Sequence, residues 1–222
     1  MDYRETINNL KDYARRELQS RYGPDSETHL PYHNIDHSEE VAEAAEKIGR
    51  EKGLSDRLCD LLAIAGLYHD IEHRQGPEQD EKLSAEEAVE QLRQAGDFTE
   101  DEEKTLFNGI IATTIRKIGD KILQSVGTNT IFDSIVADAD LSYFGQTRER
   151  FMTTLNKYYQ EKNPGALFDS DTYYAFVQST IEFMEGHSFI TPEACKLYPF
   201  KDENIAMLKQ WLQEKRTPSA EN

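Results

Sequence analysis

The sequence predicts an all-α protein folded as a single domain over residues 1–222. Apolar residues recur at steps of three and four along most of the chain, as in Ile7, Leu10, Ala14 and Leu18, which is the period of one helix face. Helix punctuation recurs as well, with Ser84-Ala85-Glu86-Glu87 and Thr99-Glu100-Asp101-Glu102 each matching a capping box. No run alternates with period two between hairpin turns, so no strand is predicted, and no internal repeat is present. A chain of 222 residues is long enough to bury a full core.

Taken in order, residues 2–20 read as an amphipathic helix with Tyr3, Ile7, Leu10, Ala14 and Leu18 inward. Residues 21–32, with Gly23-Pro24-Asp25-Ser26, read as a loop. The next helix starts near Asn34 or Asp36 and carries Val41, Ala44, Ala45 and Ile48 on one face, which His37 shares. Ser55 caps the following helix, with Leu58, Leu61, Leu62 and Ala65 inward. A polar loop over 74–83 precedes two helices opened by the capping boxes, with Gly96 as the stop between them. The second ends near Thr114, and 115–130, with Gly119 and Gly127-Thr128-Asn129, read as a loop.

Residues 131–141 predict a helix burying Ile131, Ile135, Val136 and Ala139, broken by Gly145. Helices over 147–162 and 171–185 flank the loop Asn163-Pro164-Gly165. Pro192 opens a short helix, 203–215 closes the fold with Ile205, Leu208 and Trp211 in the core, and 216–222 reads as a frayed tail.

The composition narrows the function. Against 25 basic residues stand 42 acidic ones, a net charge of −17, and such a surface repels polyanions, which argues against extended DNA or RNA as a partner. A small phosphate ester is not excluded by it, because bound divalent ions set the local field. No apolar run approaches the length of a membrane span, and Met1-Asp2-Tyr3-Arg4-Glu5 lacks an export pattern. A cytoplasmic protein is expected, with Cys59 and Cys195 as free thiols and a disulfide between them as the alternative.

The chemistry is written around His69-Asp70. The stretch 61–68 is apolar or small, and it runs into His69, Asp70, Glu72 and His73. Charge at the end of an apolar helix must be paired or bound to a metal, unless that end is in solvent. Upstream, His33 and His37 lie four apart, on one face if the segment is helical. Downstream, Asp138 and Asp140 interrupt an apolar segment.

The ordered set His37, His69-Asp70, Asp140 resembles the signature of the HD superfamily of metal-dependent phosphohydrolases. The blocks Tyr32-His33-Asn34-Ile35-Asp36-His37, His69-Asp70-Ile71-Glu72-His73 and Ala139-Asp140-Leu141-Ser142 resemble the metal site of cyclic-nucleotide phosphodiesterases. The wider chain, with Tyr158-Tyr159 and Glu185-Gly186-His187, is closer to small bacterial HD phosphohydrolases, and the resemblance spans about residues 30–210.

The resemblance implies an HD helical bundle and one or two divalent ions, drawn from Mn, Mg, Zn, Fe, Co and Ni. His37, His69, Asp70 and Asp140 would be the ligands, with Asp70 bridging to any second ion. Two imidazoles and two carboxylates suit Zn, Mn, Fe or Co, and Mg less well, whereas a water-rich second position suits Mg or Mn. Asp138 competes with Asp140 and otherwise, on a different helical face, is structural or supports the site from outside the ligand set.

The His33 of the resemblance protonates the leaving oxygen, and an imidazole is suited to that task near neutral pH. His73 and Glu72 would hydrogen-bond metal-bound water, or else lie at the surface. Thr113 falls in a segment near the site. There the chain departs from the phosphodiesterases, because an Asp and a His of their pattern are Thr114 and Ile118 here. Cyclic nucleotides thereby become poorer candidates than other small phosphorylated substrates such as nucleotides.

The expected function is phosphate-ester hydrolysis by metal-activated water, with His33 as acid and Asp70 central to the metal. A di-iron oxygenase would need further histidines between Arg74 and Ala139, and there are none. A catalytically silent sensing or scaffolding domain is the remaining rival, since a fold does not by itself establish activity.

Overall fold

In the computed structural model of the chain, residues 2–76, 79–118, 121–124 and 130–216 are described, with backbone alone at 117, 118, 121–123 and 216. The helices, in order, are α1 (Tyr3–Tyr22), α2 (Ile35–Lys52), α3 (Asp56–Tyr68), α4 (Gln79–Ala95), α5 (Glu100–Ile111), α6 (Ile131–Asp140), α7 (Arg148–Lys162), α8 (Asp171–Gly186), α9 (Pro192–Leu197) and α10 (Lys201–Arg216). A single 3₁₀ turn, Ser142–Gly145, follows α6. The all-α class therefore holds.

Helix α3 is the axis of the larger core. Cys59 through Tyr68 are all buried, because α1, α2, α4, α5 and α6 pack around it. A helix hydrophobic all round is stable only when covered on every side. Its start is fixed by Ser55, whose hydroxyl accepts from Leu58 N. Asn34 caps α2 by accepting from Asp36 N, and Thr99 with Glu102 forms a full capping box on α5. Each such cap is worth about 1 kcal/mol and sets where the chain enters its helix.

A smaller core, with Phe144, Phe151, Leu155, Tyr159, Val177 and Leu208, joins the 3₁₀ turn to α7, α8 and α10. Trp211 packs at its edge against Tyr173 and Tyr174. The two cores adjoin where α6 ends.

Several expectations need correction. Where a loop was expected after Thr114, the chain forms an antiparallel hairpin, β1 (Ile115–Ile118) and β2 (Lys121–Gln124). Its register pairs Ile115 with Gln124 and Arg116 with Leu123. With only four residues a side, alternation is too short to stand out from a loop.

Helix α4 begins at Gln79 rather than at Ser84. Ser84 is buried mid-helix, where its hydroxyl accepts from Glu72 N and donates to Glu72 O. Ile131, expected inside, is exposed at the first residue of α6. Cys59 and Cys195 are both free thiols, one buried and one exposed. The tail beyond Arg216, and the expected loop residues Gly119 and Gly127-Thr128-Asn129, lie outside the described residues. Among the described residues, no helix is long and apolar enough to cross a membrane.

Candidate metal centre

Three helix ends bring the site together. His37 lies in the first turn of α2, His69 caps the C-terminus of α3, and Asp140 is the last residue of α6. Helices α2 and α3 can approach this closely because of Gly66. A Cβ there would lie 2.5 Å from the Ala42 backbone and 2.8 Å from Val41 C.

His37, His69 and Asp70 converge on one point, and Asp140 stands beside the two imidazoles. His37 Nε2 is 3.2 Å from His69 Nε2. Asp70 Oδ2 is 3.0 Å from His69 Nε2 and 3.5 Å from His37 Nε2. Asp140 Oδ1 is 3.5 Å from each imidazole. Donors held about 2 Å from one ion leave edges of about 3–3.5 Å between them.

The tautomer fits as well. His69 Nδ1 lies 2.8 Å from Gly66 O, and a carbonyl can only accept, so Nδ1 carries a proton. That bond satisfies one of the carbonyls orphaned at the end of α3 and aims the Nε2 lone pair at the cluster. Lone pairs and carboxylate oxygens meeting in a buried place repel one another unless a cation or proton lies between them. His37, His69 and Asp70 therefore form a group that could hold a divalent cation, with Asp140 beside both imidazoles.

The electrostatics follow from this crowding. Burial opposes charge on every member, yet Asp70 and Asp140 push the His69 imidazole well above its ordinary value. Against the same burial, His69 and His33 hold the Asp70 carboxyl well below the usual carboxylate range. Burial is likewise overcome at Asp140, where His37 and His69 hold the carboxyl down at about 2.

His33 stands beside the cluster, with Nε2 4.0 Å from Asp70 Oδ2. Its Nδ1 makes a short hydrogen bond to Glu161 Oε1, and Glu161 Oε2 accepts from the amides of Tyr32 and His33 at 2.9 Å each. Although buried, Glu161 is held at about 2 by these contacts, so it is a carboxylate and His33 Nδ1 is the donor. His73 stacks on His33 at 3.9 Å between ring centroids and places Nδ1 3.6 Å from Asp70 Oδ1. His33, His73 and Glu161 form a second group that could hold an ion.

A cavity of about 270 Å³ opens onto this centre. His33, His69, Asp70, His73 and Asp140 form its polar floor. Tyr32, Tyr143, Tyr158 and Phe183 form aromatic walls, and Glu81, Thr113, Ile115, Leu141, Lys162 and Thr180 complete the lining.

Of the residues singled out in the sequence, two stand elsewhere. Asp138 is buried with its carboxylate facing the segment before α9, accepting from Ile190 N, Thr191 N and Thr191 Oγ1 at 2.6–2.7 Å. Rather than supporting the ligands, it tethers that segment. Glu72 turns away to Arg21, at 2.6 Å, and so does not face the cluster. Thr113 reaches the cavity wall, its hydroxyl donating to Ile110 O at 2.8 Å.

Sequence reasoning missed Glu161, Arg21, Tyr22 and Asp80. Arg21 Nη1 also donates to Ile71 O at 2.9 Å, and Tyr22 Oη accepts from His73 N at 2.9 Å. Asp80 accepts from the amides of Arg74, Gln75 and Gly76. Together they clamp the backbone that follows His69-Asp70. The available signals were weak, since Glu161 shares a helix face with Tyr158 and Asp80 merely follows a glycine-containing loop.

Comparison with known proteins agrees with this architecture. Residues 34–142 match the HD domain family model, a segment that contains His37, His69, Asp70 and Asp140. The fold is similar to that of Bacillus subtilis YpgQ, solved in complex with ADP, with a TM-score of 0.63 at 18% identity. That similarity covers 99% of this chain and 98% of YpgQ. No curated protein matches the chain in sequence. Residues 34–142 of this chain thus carry an HD domain, the domain of a superfamily of metal-dependent phosphohydrolases.

Proposed function

We propose that the protein hydrolyses a phosphate ester of a small molecule such as a nucleotide, in a reaction dependent on a divalent cation. The observation that carries this reading is the cluster of His37, His69, Asp70 and Asp140, of which His69, Asp70 and Asp140 line an aromatic-walled cavity. A divalent cation held by these residues supplies Lewis acidity, polarising a phosphoryl oxygen and acidifying water. Asp70, with its second oxygen towards His73, is the residue suited to contact a second ion.

His33, as an imidazolium with Nδ1–H held by Glu161, serves as the proton donor to the departing oxygen through Nε2–H. Its Nε2 faces the cavity side of Asp70, and Glu161 holds its Nδ1 so that the ring cannot turn away. Tyr158, Tyr143 and Phe183 offer ring faces to a planar base, and Lys162 offers a charge to phosphate. The bound ADP of the similarly folded YpgQ supports a nucleotide in particular.

The test compares a nitrophenyl phosphomonoester, a bis-nitrophenyl phosphodiester and a panel of nucleoside phosphates that includes ADP, using manganese-loaded protein. Turnover of at least one, abolished in Asp70→Ala, is expected. Loaded protein that turns over none of them would overturn the reading in favour of a silent, metal-binding HD domain.

A further inference from the structure

We propose that Gln124, on the hairpin strand β2, is the positioning residue that fixes the orientation of Asp140 towards the metal. This inference rests on the metal-centre reading above and adds to it a residue outside the ligand set.

The geometry divides the two oxygens of Asp140 between two tasks. Oδ1 faces His37 and His69 at 3.5 Å each. Oδ2 accepts from Gln124 Nε2 at 3.0 Å. A carboxylate can only accept, so the amide must present its NH₂ group here. Rotation about the last torsion of an aspartate is soft and nearly two-fold. A donor anchored on one oxygen therefore decides which oxygen, and at what tilt, is offered to an ion. Hydrogen bonds to ionised acceptors are the stronger kind, and partners of this type typically contribute 10–100-fold to metal affinity.

The hairpin places Gln124 for a second reason. Gln124 pairs directly with Ile115 across the strands, and directly opposed residues project to the same face. Ile115 lines the cavity that opens on the metal centre. One face of this short hairpin thus contributes both to the cavity wall and to the hold on Asp140. Strand β2 also packs against α8, which carries the cavity residue Phe183.

The experiment titrates the metal-free full-length protein with Mn²⁺ by calorimetry, and with Co²⁺ followed by visible absorption. The proteins compared are wild type, Gln124→Met, Gln124→Glu and Asp140→Ala. Methionine keeps the length and removes the donor, and glutamate keeps the shape and turns the donor into a second carboxylate. Expected are a 10–100-fold weaker Mn²⁺ affinity in Gln124→Met, a changed Co²⁺ spectrum in both Gln124 variants, and melting temperatures without metal close to wild type. Wild-type affinity and an unaltered Co²⁺ spectrum in both Gln124 variants, with binding lost in Asp140→Ala, would overturn the proposal while leaving the metal centre standing. No binding by wild type itself would instead remove the metal-centre reading. If Gln124→Met does not melt cooperatively, the Gln124→Glu spectrum decides.

Discussion

Glu161 holds His33 from two sides, one carboxylate oxygen on the ring nitrogen Nδ1 and the other on the backbone amides of Tyr32 and His33. The ring is thereby fixed in position and in tautomer by a residue 128 positions away. Removing the His33 imidazole removes proton donation, a contribution of about 10²–10⁴ in rate. His33→Ala should therefore lower kcat by about that factor with KM little changed. Glu161→Gln keeps the shape and weakens the hold, so a smaller fall in kcat, about 10–100-fold, is expected at unchanged Mn²⁺ affinity. Steady-state kinetics with a metal titration on each variant makes the check. A fall in metal affinity matching the fall in kcat would assign Glu161 to the metal centre instead.

The difference between the His33 and Glu161 contributions shows what the sequence could and could not carry. His37, His69-Asp70 and Asp140 were legible because each interrupts a periodic apolar helix, where an ionisable group is out of place. Helix starts at Asn34, Ser55 and Thr99 were legible because capping is local chemistry. Glu161 was not, since a glutamate near a helix C-terminus reads as solvated and its role depends on a partner in another helix. Gln124 was hidden for a related reason, because a four-residue strand has no periodicity to read. Ser84 misled for the opposite reason. Its local pattern fitted a cap, but tertiary contact with Glu72 had a stronger use for the hydroxyl.

Gly66 sets the separation of α2 and α3. The methyl of Gly66→Ala would collide with the backbone of Ala42 and Val41, which cannot rotate aside. The helices must separate, and His37 on one moves away from His69 on the other. Overpacking of this kind costs about 1–3 kcal/mol. The urea midpoint of Gly66→Ala should fall accordingly, and Mn²⁺ affinity should fall with it. Lost stability with wild-type metal affinity would show that the two helices separate without moving the imidazoles.

Asp138 offers the complementary case, a buried carboxylate with a structural task. Asp138→Ala leaves the Ile190 and Thr191 amides and the Thr191 hydroxyl without their acceptor, and each of the buried Thr191 groups so orphaned costs about 1–3 kcal/mol. The variant should be destabilised by a few kcal/mol in urea, while its Mn²⁺ titration stays near wild type. Asp140→Ala should show the reverse, with metal binding lost and stability without metal little changed. An Asp138→Ala protein that folds normally and binds no metal would exchange the roles of the two aspartates.

His187, outside the ligand set though it feels the charge of Asp140, gives the fold a further dependence on pH. Its ring lies against Phe144 and Phe189, with centroids 5.4 and 5.1 Å away, and its Nδ1 has no hydrogen-bond partner. Burial, aided by the nearby charge of Lys201, lowers its pKa to about 4, against about 6.5 in the unfolded chain. Between these values the unfolded chain binds the extra proton, so stability is lost as pH falls from about 6.5 towards 4 and changes no further below it. The full effect is roughly 3 kcal/mol, at 1.36 kcal/mol per unit. His187→Phe keeps a ring between the two phenylalanines and removes the titration. Urea unfolding of both proteins without metal, at pH 7.5 and pH 4.5, isolates the contribution, because every other titrating group is shared. Wild type should lose roughly 2–3 kcal/mol more than His187→Phe over that interval. Parallel losses would mean that His187 takes up its proton in the folded protein as readily as in the unfolded chain.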